Sequence, residues 1–144
     1  MVPSLVINLR KSQPVLIEEI SLSSSPFQLY SRIASEQYSF ILDSPESGFS
    51  NSNLAHYSFL GYNPFLTIKS YQENIHLFQN GKLSHEKGNP LDLFGELLRR
   101  YRLNINNSAL PFAGGAVGYI GYETRHFIEN VPGKNVDDLF MPHL

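Results

Sequence analysis

The chain has 144 residues, the size of a single domain, and this length excludes a multidomain enzyme. Its formal charge of -2 leaves no basic excess for nucleic-acid phosphates, and no apolar run is long enough to span a bilayer or to form a secretory signal. We therefore expect a cytoplasmic protein with no nucleic-acid or membrane partner, and the absence of cysteine excludes disulfides and thiol nucleophiles.

The N-terminal third of the chain predicts a strand followed by a capped helix. The β-branched run at Val15–Ile20 favours a strand. Ser25 is a suitable N-cap, Pro26 occupies the first helical position, and Gln28 stands at the capping-box position. We therefore predict a helix that continues through about Ser35.

A series of strands is predicted next. A buried strand at residues 38–42 leads into a loop of Ser, Asn, Gly and Pro at 46–53. Aromatic and β-branched residues then recur in short segments at 56–62, 65–70, 74–79 and 82–85. Asn80-Gly81 is a strong signal for a type I′ hairpin turn. The segments after the loop are therefore predicted to form an antiparallel meander.

The C-terminal part predicts helices around one further strand. Asn89 opens the clearest helix, whose apolar face is predicted from residues at helical spacing, namely Leu91, Phe94, Leu98 and Tyr101. The glycine-spaced segment Gly114–Gly121 predicts a strand, and Glu123–Glu129 predicts a short helix. Together the elements predict a single α+β domain over residues 1–144, with a few helices packed on an antiparallel sheet.

No catalytic or metal-binding group is predicted from the residues themselves. The glycines of 114–121 do not lie between a strand and a helix, so a structural role is favoured over phosphate binding. None of the five histidines has a carboxylate at i, i+2 or i, i+4 spacing, and surface or half-buried polar roles are favoured for His56, His76, His85, His126 and His143.

One weak ligand site is predicted where the strand at 38–42 ends. Asp43 and Ser44 offer a carboxylate and a hydroxyl that could hold an amine, beside an aromatic wall from Tyr57 or Phe59. Alternatively, Asp43 and Ser44 terminate the strand through side-chain to backbone hydrogen bonds. Spacing alone favours this second interpretation.

Three segments, in this order, resemble a known family. They are Phe40–Ser44, Tyr57–Pro64, and Leu110–Phe112 continuing into Gly114–Glu123. Their combination is similar to the N-terminal domain of the chorismate-aminating enzymes, which are anthranilate synthase component I and aminodeoxychorismate synthase component I, also called para-aminobenzoate synthase component I. The resemblance covers most of the chain from about Ser39 onward.

The resemblance implies that chorismate and Mg²⁺ bind in a C-terminal catalytic domain that this sequence does not reach. We expect an inactive fragment with no catalytic residue, metal or cofactor of its own. The parent enzyme would aminate chorismate with ammonia from a glutamine amidotransferase subunit. Asp43-Ser44, where anthranilate synthases usually carry Glu-Ser, and Gly61–Pro64 favour aminodeoxychorismate synthase of the folate pathway. The alternatives are anthranilate synthase of the tryptophan pathway and a free-standing ligand or interaction module.

The resemblance also implies a tryptophan pocket, which is regulatory in anthranilate synthase and often structural in the folate enzyme. The matching positions are Leu42, Asp43, Ser44, Leu54, Ala55, His56 and Tyr57. His56 stands where the family often has arginine, so an anion-binding role is not expected there near neutral pH.

Overall fold

The computed structural model describes residues 18–44, 57–103, 114–130 and 139–144. These ranges contain α1 (Pro26–Ile33), β1 (Phe40–Leu42), β2 (Phe59–Gly61), β3 (Leu66–Tyr71), β4 (Asn74–Gln79), β5 (Lys82–Lys87), α2 (Pro90–Arg100) and a 3₁₀ helix (Tyr122–Phe127). The chain divides into two compact units. One contains α1, β1 and β2, and the other contains β3–β5, α2 and the 3₁₀ helix. The combination confirms the predicted α+β class.

Helix α1 begins as its sequence predicts. The backbone N–H of Gln28 donates to Ser25 Oγ at 3.3 Å, and the backbone N–H of Ser25 donates to Gln28 Oε1 at 3.0 Å. This reciprocal pair satisfies backbone donors that the first helical turn cannot pair internally. The helix ends at Ile33, slightly before the predicted end. The strand predicted before it is wrong over its described part, since Glu18–Ile20 is exposed and lies in no strand.

Strands β1 and β2 form an antiparallel pair in which Phe40 lies opposite Gly61 and Leu42 lies opposite Phe59. β1 is shorter than predicted because Tyr38 has a φ of 55°, outside the β region. It is also less buried than predicted, since Leu42 is 51% exposed. The loop predicted at 46–53 lies outside the described residues.

The predicted continuous meander is wrong, because β2 pairs with β1 and β3 begins a separate sheet. The succession of paired strands is interrupted at Asn63-Pro64. Asn63 has a φ of 49°, and its N–H donates to Gln37 O at 2.9 Å instead of to a neighbouring strand. Pro64 has no N–H to donate.

The second sheet has the order β3-β4-β5, with both pairs antiparallel. The turn between β4 and β5 has positive φ at Asn80 (52°) and at Gly81 (75°), as a type I′ turn requires. The predicted hairpin is therefore confirmed. Gln79 and Lys82 close it, and this pair determines which residues face each other farther along the ladder.

The hydrophobic core lies between this sheet and α2. Ile75 and Leu77 of β4 pack with Leu97 of α2, and each of the three is at most 5% exposed. The partly buried residues around them are Leu66, Ile68, Leu93 and Tyr101. The predicted apolar face of α2 is therefore only partly right, because Leu98 is 44% exposed. Two faces of α2 carry leucines, one with Leu98 and the other with Leu97. Packing against β4 buries the face that contains Leu97.

The segment Gly114–Gly121, predicted as a strand, belongs to neither sheet. Its glycines provide no side chains to pack on a sheet, and residues 114–120 are exposed. Its contacts are instead with the C-terminal residues. Gly121 N–H donates to His143 O at 2.7 Å, and the Tyr119 hydroxyl donates to Pro142 O at 2.8 Å. The predicted short helix near it is present, as the 3₁₀ helix.

The C-terminal residues also bind the edge of β3. His143 N–H donates to Ser70 O at 2.7 Å, and Ser70 N–H donates to Leu144 O at 3.1 Å. Ser70 is fully buried and Leu144 is 9% exposed. Within the described ranges, no helix has the length and apolar character needed to cross a membrane.

Replacing Leu97 with alanine should lower the free energy of unfolding by about 2–4 kcal/mol, because it removes buried side-chain atoms and leaves a cavity beside Ile75 and Leu77. Leu98→Ala is the matched control, and it should cost less than about 1 kcal/mol because that side chain is largely in water. Urea unfolding followed by circular dichroism measures both. Equal losses in the two variants would contradict the assignment of this core.

Candidate functional site at the ends of β1 and β2

The residues that follow β1 meet the residues that precede β2. Leu42 and Phe59 are paired residues of this two-stranded sheet. The antiparallel direction therefore carries Asp43 toward Ser58 and Ser44 toward Tyr57. A carboxylate and two hydroxyls are thus brought to one end of the sheet.

Three hydrogen bonds join these residues. The Ser58 hydroxyl donates to Asp43 Oδ1 at 2.7 Å, and Ser44 N–H donates to Ser58 Oγ at 3.1 Å. The Ser44 hydroxyl donates to Tyr57 O at 2.6 Å. Two of the bonds therefore involve the Ser58 hydroxyl, which acts as both donor and acceptor.

This network supports the strand-terminating interpretation of Asp43 and Ser44. Both side chains bond across to the opposite strand, and they continue the β1–β2 pairing after the regular ladder has ended. The network does not use all of the acceptor capacity. Ser44 Oγ and Asp43 Oδ2 accept no hydrogen bond within the described residues. The same side chains can therefore close the strand end and still accept hydrogen bonds from a ligand.

An exposed apolar surface accompanies the polar groups. Tyr57 is 46% exposed, and its ring stacks with that of Phe59 at a centroid distance of 6.3 Å and an interplanar angle of 22°. Leu42, immediately before Asp43, also projects much of its side chain into solvent. The site therefore combines a negative charge, hydroxyl oxygens and an aromatic surface, which suits a small organic cation with an aromatic or apolar part.

The structure brings together the predicted site residues that it describes, namely Leu42, Asp43, Ser44 and Tyr57. The other three, Leu54, Ala55 and His56, lie outside the described residues. Ser58 is the residue that the sequence interpretation missed as a member of the site. Pairing β1 with β2 would have placed it opposite Asp43, but the predicted meander assigned the second segment to other neighbours.

The described histidines belong to the other unit of the chain. His126 Nε2 is 3.0 Å from Glu123 Oε2, and His143 Nδ1 accepts from Gln72 N–H at 3.3 Å. The β4–β5 register pairs His76 with His85, although spacing along the chain showed no partner for either. The described part of the chain contains no group of three or more metal-ligating side chains.

A separate cavity of about 500 Å³ lies at the start of α2, in the unit of the three-stranded sheet. Its charged lining residues carry both signs, and they are Glu86, Lys87, Asp92, Glu96 and Arg99. All of its lining residues belong to the unit that contains β3–β5 and α2.

Comparison with known proteins reveals close relatives over most of the chain, although no family model matches it. A protein of Acetivibrio thermocellus named anthranilate synthase component 1 is 34% identical over 131 residues, which is 90% of this chain and 26% of that protein. The chain belongs to the anthranilate synthase component I and aminodeoxychorismate synthase component I family, as an N-terminal domain.

Other relatives agree with this assignment. A Geobacillus stearothermophilus protein of the same name is 31% identical over 89% of the chain and 25% of its own length. A Bacillus subtilis protein of that name is 32% identical over 73% of the chain and 20% of its own length. The chain thus spans about a quarter of the length of the relatives it matches. Their names favour the anthranilate alternative over aminodeoxychorismate synthase, the main interpretation of the sequence.

Replacing Ser58 with alanine should accelerate amide exchange at Ser44, because its N–H loses the hydroxyl that accepts from it. The unit should lose about 1 kcal/mol of stability, since the bond to Asp43 is charge-assisted but exposed. Ser31→Ala is the control, because that hydroxyl bonds only within α1, to Gln28 O. Hydrogen exchange measured by NMR distinguishes the two variants. Unchanged protection of the Ser44 amide in Ser58→Ala would contradict the network.

Proposed function

We propose that this chain is the N-terminal domain of an anthranilate synthase component I. The observation that carries the proposal is the similarity over most of the chain to relatives that bear this name and of which the matched part is about a quarter. In the whole protein, chorismate would be aminated by a C-terminal catalytic domain with ammonia from a glutamine amidotransferase subunit. The product would be anthranilate, for the tryptophan pathway, and the location would be the cytoplasm.

We propose a supporting role for this domain in the whole protein. Mg²⁺ is proposed to act in the C-terminal domain, as the resemblance implies. The residues of this chain would provide a folded framework and a site for a regulatory or structural ligand.

We further propose that the ligand of the site at Asp43 is tryptophan. Its ammonium group would bind the Asp43 carboxylate, which the Ser58 hydroxyl already holds in position. The Ser44 oxygen would accept a further hydrogen bond from the ammonium group. The indole would lie on the exposed surface of Leu42 and Tyr57. Preorganisation by the network lowers the cost of ordering these side chains when the ligand binds.

The product of the whole protein tests the enzymatic proposal. We expect the chain joined to its C-terminal catalytic domain to form fluorescent anthranilate from chorismate, ammonium and Mg²⁺, and the 144-residue chain alone to form no product. Chromatography separates anthranilate from aminodeoxychorismate. Formation of aminodeoxychorismate would reverse the assignment, and turnover by the chain alone would contradict the supporting role.

Calorimetry with L-tryptophan tests the site. In the whole protein, Ser44→Ala should weaken binding about fivefold, the equivalent of about 1 kcal/mol for one hydrogen bond. Asp43→Asn should weaken it about tenfold or more, because the amide oxygen can still accept from Ser58 while the charge is lost. The matched control is Ser31→Ala on α1, which should bind normally.

The same titration distinguishes the two interpretations of Asp43 and Ser44. Wild-type affinity in both site variants would leave these residues with only their strand-terminating role. The 144-residue chain alone should bind tryptophan far more weakly than the whole protein, because a half-open site leaves the indole in water. Equal affinity of the two proteins would contradict a pocket completed by other residues.

A further inference from the structure

The three-stranded sheet has a second face, whose side chains point away from the core. Ile75 and Leu77 point toward α2, so the alternate residues of β4, His76 and Phe78, point to the other face. We call this the outer face of the sheet. Its members on the three strands are Thr67, Lys69, Tyr71, Asn74, His76, Phe78, Leu83, His85 and Lys87.

Two imidazole rings meet on the outer face. His76 and His85 are directly paired across β4 and β5, with ring centroids 4.6 Å apart and planes at 81°. Gln79 and Lys82 flank a two-residue turn and form a hydrogen-bonded pair, and the two kinds of pair alternate along the ladder. The histidines, three positions farther out, are therefore a non-hydrogen-bonded pair, the kind with closer side chains.

We propose that His76 and His85 form a bidentate site for a divalent transition-metal ion such as Zn²⁺ or Ni²⁺. Imidazole nitrogen is a preferred ligand of these ions, at about 2.0–2.1 Å for Zn²⁺. The hairpin holds the two rings in register, so a metal ion does not have to bring distant ligands together. Water molecules would occupy the remaining coordination positions, which leaves an open site.

The ring nitrogens are available for this role. Within the described residues neither imidazole makes a hydrogen bond, and the contacts of His76 are with the rings of Tyr71, at 5.7 Å, and His85. His85 is exposed and His76 is half-buried. The terminal χ2 angle of histidine has a broad distribution, so modest rotation of the rings can direct one nitrogen of each toward a common ion.

The charge next to the pair gives the proposal a specific test. Lys69 pairs with His76 on its other side, and Lys87 lies two residues after His85 on the same face of β5, so the outer face carries basic side chains on all three strands. These charges repel a bound cation and attract a bound anion. The effect of removing Lys69 on the affinity therefore separates a metal site from an anion site.

Calorimetric titration of the untagged chain with ZnCl₂ or NiCl₂ in a non-chelating buffer tests the proposal. We expect His85→Thr and His76→Gln to weaken binding at least tenfold, because each removes one of the two ligands. His126→Gln is the matched control, since His126 lies beside the Glu123 carboxylate and this histidine–carboxylate pair could also bind a metal ion. It should leave this binding unchanged.

Two further measurements make the result decisive. Paramagnetic Ni²⁺ should broaden the ring resonances of His76 and His85 before those of other histidines, in a chain whose amide spectrum shows it to be folded. Lys69→Met should leave the affinity unchanged or raise it, because it removes a neighbouring positive charge. Weaker binding in Lys69→Met, equal loss in His126→Gln, or unchanged affinity in His85→Thr would overturn the proposal.

Discussion

The register of antiparallel pairing determines which side chains meet in both units of this chain. In the first unit, the pairing of Leu42 with Phe59 carries Asp43 to Ser58 and produces the polar network at the strand end. In the second unit, the turn at Asn80-Gly81 directs Ile75 toward α2 and the alternate residues to the outer face. A shift of one residue in either ladder would exchange the two faces and remove the corresponding site.

Local signals were sufficient for much of the fold. The capping box at Ser25 and Gln28 predicted the start of α1, and Asn80-Gly81 predicted a tight hairpin. In both cases the signal lies within four residues and depends on backbone hydrogen bonding or on φ. Packing against a sheet is not a local property. This is why the predicted face of α2 included Leu98, whereas the core contains Leu97.

The pairing of strands was the main failure of the sequence interpretation, and it also limited the prediction of the site. Residues 56–62 looked like the first strand of a meander, but Asn63-Pro64 separates them from β3. Resemblance to a family identified Asp43 and Ser44, while Ser58 depends on the β1–β2 pairing. The histidine pair could have been found from the residue numbers. Every pair of residues across the predicted two-residue turn has the same sum of residue numbers as Gln79 and Lys82, and His76 with His85 meets this condition.

The contact between Gly61 and Phe40 limits how this domain can change in evolution. A Cβ atom at position 61 would lie 2.7 Å from Phe40 Cε1, so any other residue at 61 would force the ring to move. Phe40 lies in the strand that leads to Asp43, and a displaced ring there would disturb the pairing that aligns the polar network. A larger residue at 61 is therefore expected to be better tolerated where position 40 carries a side chain smaller than phenylalanine, so the effects of substitutions at the two positions should depend on each other.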